Sequence, residues 1–137
     1  MREIICRAKR TKNKEWIEGY YVKFYDSVDS KENRMIFTIN EEEKSSQPYS
    51  VDPETVCQYT EVDDKNGTNL FHKDIVSALF IGYGGKKYTR IGVVEYVKGT
   101  FCVNCNDSEE YGKNFLGYVN DVEVIGNVFD NPELIQK

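Results

Sequence analysis

Histidine is almost missing from this chain: His72 is the only one. A nucleophile–histidine–acid arrangement has one place to form. A structural zinc site, which needs four nitrogen or sulfur ligands, must draw almost wholly on cysteine. There are four cysteines, Cys6, Cys57, Cys102 and Cys105. Only Cys102-Val103-Asn104-Cys105 has the spacing of half a zinc knuckle or a redox pair, and no second such pair follows. A redox version would open a helix after a strand, whereas here a strand runs into a loop. One buried and one loop thiol is the reading, with no metal and no cofactor expected.

Other absences narrow the field further. No stretch approaches the ~20 apolar residues that span a bilayer. The opening MREIICRAKRTK has charge but no apolar run of signal-peptide length. The expectation is a cytosolic protein with reduced thiols and no membrane partner, so Asn66-Gly67-Thr68 is a chance match to the glycosylation pattern. Excess positive charge is also lacking: the net charge is −5, which argues against a duplex nucleic-acid binder. Gly82-Tyr83-Gly84-Gly85-Lys86-Lys87 lacks the spacing of a phosphate loop and reads as a hairpin tip. No internal repeat occurs, and no pair of carboxylates has a spacing that marks a site.

Aromatic residues, in contrast, are plentiful: ten Tyr, seven Phe and one Trp among 137 residues. Such side chains suit a pleated, half-buried surface. Period-two alternation begins with Ile4, Cys6 and Ala8, and a long strand follows from Glu15 to Tyr25. Gly19 inside that strand marks a bulge or a close backbone approach. A further strand covers Arg34–Asn40. The acidic, Ser-rich stretch from Glu41 to Ser50, interrupted by Pro48, reads as a mobile loop. Asp52-Pro53-Glu54-Thr55 opens a single helical turn with Asp52 as its cap, and Val56–Thr60 alternates as a short strand. Asp64-Lys65-Asn66-Gly67 is a strong turn signal. Asp74–Ile81, Arg90–Val97, Thr100–Val103 and Val122–Phe129 read as strands. Tyr111–Val119 reads as one or two helical turns, and a short helix starts at Asp130.

Several short strands joined by tight turns predict one domain, residues 1–137, of mainly β class with minor helix. The expected architecture is a small, partly open antiparallel β-barrel, SH3-like, with short helical turns.

Three ordered blocks resemble the YopX-like family of bacteriophage and prophage proteins. The first is Arg2-Glu3-Ile4 with Arg7 and Asn13-Lys14-Glu15-Trp16-Ile17-Glu18-Gly19-Tyr20. The middle block holds Pro53-Glu54-Thr55-Val56, Gln58-Tyr59-Thr60, Asp64-Lys65-Asn66-Gly67 and Asp74-Ile75-Val76. The last holds Gly92-Val93-Val94 and Val124-Ile125-Gly126-Asn127-Val128-Phe129-Asp130-Asn131-Pro132-Glu133-Leu134. The resemblance implies a phage- or prophage-encoded cytosolic protein that contains a β-barrel, self-associates and has no established activity. It brings no catalytic residues. The chain departs from the family pattern where Cys57 and Glu61 stand in place of glycine. It departs again where His72-Lys73-Asp74 replaces Glu-Gly-Asp.

Two candidate surfaces remain. Trp16, Tyr20 and Tyr21 are candidates for a subunit interface, because Tyr and Trp bury large area while keeping one polar end wet. Tyr83, Lys86, Lys87, Tyr88 and Arg90 are candidates for contact with an anion or a nucleic-acid backbone, with tyrosines placed to stack on bases. His72 and Asp74, two residues apart, have the makings of an acid–base pair, but the motifs around them serve turns and strands. The expectation is a non-enzymatic, homo-oligomeric accessory factor with a host or phage protein as partner. Nucleic-acid binding through residues 82–90 is the alternative.

Overall fold

A computed structural model of the protein describes residues 3–105, 113–116 and 119–136. The mainly-β expectation holds. Among the described residues the strands form two antiparallel sheets, neither closed into a barrel. Contacts cluster into two compact units, Met1–Tyr59 and Thr60–Lys137.

In the first unit, β1 (Cys6–Lys9), β2 (Trp16–Tyr25), β3 (Glu32–Asn40) and β4 (Ser45–Ser50) are followed by β5 (Cys57–Asp63), in which the chain passes into the second unit. The hydrogen-bonded order is β4-β3-β2-β1-β5. Cys6, Ala8, Ile36 and Val51 form the core, with Ile17, Tyr21 and Val56 packed on it. Gly19 is a close approach rather than a bulge. A Cβ there would stand 2.2 Å from the Phe37 carbonyl oxygen and 2.9 Å from the Ile36 side chain. Only glycine lets β3 lie that near.

The helical turn at Pro53–Thr55 forms as its sequence demands. Asp52 accepts the Glu54 amide at 3.1 Å, and Pro53 fills the first position where no donor is needed. The stretch from Glu41 to Ser50, expected as a loop, is instead a turn at residues 41–44 followed by strand β4. Its Pro48 stands opposite Phe37 on an edge strand, the one place in a sheet where a missing N–H removes no ladder bond.

The second unit adds β6 (Asn69–Phe71), β7 (Asp74–Ile81), β8 (Lys87–Val97), β9 (Thr100–Asn104), β10 (Lys113–Phe115) and β11 (Asn120–Asn127). β6 pairs with β5, and the other five strands run in the order β10-β9-β8-β7-β11. Leu70, Val76, Ala78, Val94, Val103, Cys105, Leu116 and Val122 form its core. Strand β6 is too short to show a period in the sequence. Part of the stretch expected to be helical, residues 111–119, is strand β10, while residues 106–112 and 117–118 lie outside the described residues. The terminal helix is one turn, Pro132–Leu134.

Candidate functional site

The middle block of the sequence gathers in the second unit, where its acids act on backbone. Asp64 is buried. One carboxylate oxygen accepts the amides of Asn66 and Thr68, both at 2.9 Å, and the other accepts Val124 N at 3.0 Å. Burial alone would raise its pKa, but these three amide donors outweigh burial and hold the carboxyl below its ordinary range. Lys65 N donates to Val122 O at 2.9 Å, so the Asn66-Gly67 turn is fastened to β11 from both Asp64 and Lys65. Asp74, 1% exposed, turns its carboxylate to Phe71 N at 2.8 Å. Thr60 Oγ1 donates to Leu70 O at 2.9 Å and accepts Val62 N at 3.1 Å. These acids hold turns together.

His72 lies in the turn between β6 and β7 rather than on a strand, so the face it would share with Asp74 does not exist. It is half-buried. Burial lowers its pKa, the Lys73 ammonium lowers it further, and Glu95 acts in the opposite sense. All four cysteines are buried and unbridged. Cys105 lies just past the end of β9, outside any strand, and is buried there. It packs in the core with Val103, whereas Cys102, one residue earlier on β9, points to the other face, so the two thiols do not converge. Burial raises the Cys6 thiol pKa.

The basic hairpin forms as expected, from the end of β7 through Tyr83–Gly85 into β8. Gly82 N donates to Lys86 O at 2.7 Å, and Gly85 N donates to Gly82 O at 3.2 Å. Gly84 and Gly85 take φ of 69° and 77°, which glycine reaches without strain. Tyr83 is 104% exposed, with Lys86 and Lys87 exposed beside it. Tyr88 has a different role from Tyr83. Its ring stacks on Phe80 with centroids 5.9 Å apart, and the Arg90 guanidinium lies 5.0 Å over it. Tyr88 and Arg90 brace the hairpin while Tyr83 is presented.

The aromatic candidates on β2 separate by face. Tyr20 and Tyr21 are consecutive, so they point oppositely. Tyr21 packs on the core of the first unit and accepts a hydrogen bond from Arg34 Nη1 at 2.8 Å; it is removed from the surface candidates. Trp16, Tyr20, Val22 and Phe24 share the other face. The register sets Phe37 beside Tyr20 and Met35 beside Val22, with Ile39 further along the same side of β3. Val22, Phe24 and Ile39 are exposed. Trp16 carries two cations that sequence reading did not assign to it: Arg7 at 4.8 Å and Lys9 at 5.3 Å from the ring centroid. The β1–β2 register, which places Lys9 opposite Trp16, is the signal that brings them together. Hydrogen bonding to the Glu3 carboxylate raises the Tyr20 phenol above its ordinary pKa.

The tail block is structural as well. Asn131 Oδ1 accepts Asn127 N at 3.2 Å, and a Cβ on Gly126 would stand 2.6 Å from that same oxygen. The Asn131 side chain leaves room for glycine alone at position 126.

No curated protein matches the chain. Among solved structures, a crystal structure of protein EF1440 from Enterococcus faecalis is similar, with a TM-score of 0.54 and 25% identity. That match covers 98% of this chain and 99% of the other. The family model described as YopX protein matches residues 6–136, nearly the whole length. By that match the chain belongs to the YopX family.

Proposed function

We propose that this protein is a non-enzymatic, self-associating interaction module, an accessory factor encoded by a phage or prophage and working in the bacterial cytoplasm. The observation that carries the reading is the outer face of β2 and β3 in the first unit. There Tyr20, Val22, Phe24, Met35, Phe37 and Ile39 form one apolar surface, with Val22 39%, Phe24 37% and Ile39 48% exposed, and Glu18 and the cation-covered Trp16 border it. Contiguous aromatic and aliphatic side chains on one sheet face are the composition of an interface core, which favours Tyr, Trp, Phe and Met and is poor in charge. A second copy supplies the matching surface through a two-fold contact, the commonest way for one patch to cover itself. The acids of the middle block support a structural role over a chemical one, since Asp64 and Asp74 direct carboxylate oxygens at backbone amides.

Size-exclusion chromatography with light scattering tests the proposal. The expected mass is a multiple of the 15.9 kDa chain at micromolar concentration. Val22→Glu with Ile39→Glu should give monomer with an unchanged far-UV circular dichroism spectrum. A parent protein that elutes as monomer at micromolar concentration refutes the reading.

A further inference from the structure

We infer that the β7–β8 hairpin of the second unit is a binding arm for single-stranded nucleic acid, with Tyr83 as the stacking ring and Lys86 and Lys87 as the phosphate contacts. This goes beyond self-association and uses residues that the apolar face does not include.

Charge is the first argument. The chain is net negative, yet from Ile75 to Val94 it has no Asp or Glu and carries Lys86, Lys87 and Arg90. The arm is therefore a local cationic feature on an acidic protein, and its complement is an anion.

Shape is the second. Tyr83 is fully exposed at a tip of three glycines, where a core or a bracing role is excluded. Bracing falls to Tyr88, held by Phe80 and by Arg90. An open ring beside two lysines suits a ligand that alternates flat bases with phosphates, since stacking on an aromatic ring tolerates any base. A duplex hides those base faces, so the single strand is the form that fits.

Backbone is the third. Gly82 N donates to Lys86 O at 2.7 Å and Gly85 N to Gly82 O at 3.2 Å, so the tip that presents Tyr83 and the lysines is held in shape by its own backbone before any ligand arrives.

The test is fluorescence anisotropy of the full chain with labelled oligothymidylate of about 12 nucleotides, titrated at several salt concentrations. Two phosphate contacts predict that log K falls against log salt with a slope of about −1.4. Lys86→Glu with Lys87→Glu should abolish binding at moderate salt. Tyr83→Ala should weaken it about five- to 150-fold, the range for loss of one stacked base, while Tyr83→Phe retains it. Each variant is checked for unchanged circular dichroism and oligomeric mass. Absence of binding at low salt overturns the inference, as does equal affinity for duplex of the same length. Equal binding of a polyglutamate peptide, with Tyr83→Ala unaffected, assigns the arm to acidic proteins and overturns it too.

Discussion

Lys73 offers a sharp test of how this fold is held. The residue takes φ of +73°, a conformation in which the Cβ of any L-residue crowds the carbonyl that follows. The turn cannot relax it away. Lys73 N donates to Val94 O at 2.8 Å, Lys73 O accepts Val128 N at 3.1 Å, and the next residue, Asp74, holds Phe71 N at 2.8 Å. The family pattern, by resemblance, has glycine here, and the structure supplies the reason. A non-glycine residue in this region costs about 1–2 kcal/mol. Replacing Lys73 with glycine relieves that strain but adds about 0.5–1 kcal/mol of unfolded-chain freedom. The net expectation is a stabilisation of about 0.5–1 kcal/mol, which raises the melting temperature by roughly 2–4 °C in a chain of this size. Thermal unfolding followed by circular dichroism measures it. Lys73→Ala is the control: it removes the charge, keeps the Cβ and should show no such gain. If Lys73→Gly melts at or below the Lys73→Ala temperature, the strain argument is wrong.

Two pH predictions follow from named groups. The Asp64 carboxyl sits below its ordinary pKa in the folded state, so its contribution is complete above the ordinary value and is lost as pH falls through the folded one. Asp64→Asn, which lacks the charge that three amides address, should flatten the acid limb of a urea-midpoint-versus-pH curve and lower stability at neutral pH by about 2 kcal/mol or more. His72 also has a depressed folded pKa, with the same sign: the unfolded chain binds the proton more readily, so stability falls as pH drops below about 6.5. His72→Gln should remove the part of the slope between that value and the onset of carboxylate protonation. A wild-type midpoint that is flat there contradicts the assignment.

Much of the chain announced itself through local chemistry. Asp52-Pro53 capped a turn, Asn66-Gly67 reversed the chain, Gly19 marked a close approach, and alternating aromatic and aliphatic residues laid down most of the strands. Such signals act over a few residues, where backbone sterics and side-chain spacing suffice. Four features required the folded partner. Pro48 and its serines made β4 only because β3 lay beside them, and Lys113–Phe115 became a strand by pairing with β9. Cys105 was drawn into the core by neighbours on other strands. The two adjacent tyrosines are the plainest case. Alternation requires Tyr20 and Tyr21 to face opposite ways, but the direction that leads inward depends on Ile36, Val51 and the remaining residues that close over one side. Periodicity fixes relative direction, and only packing selects which direction is buried.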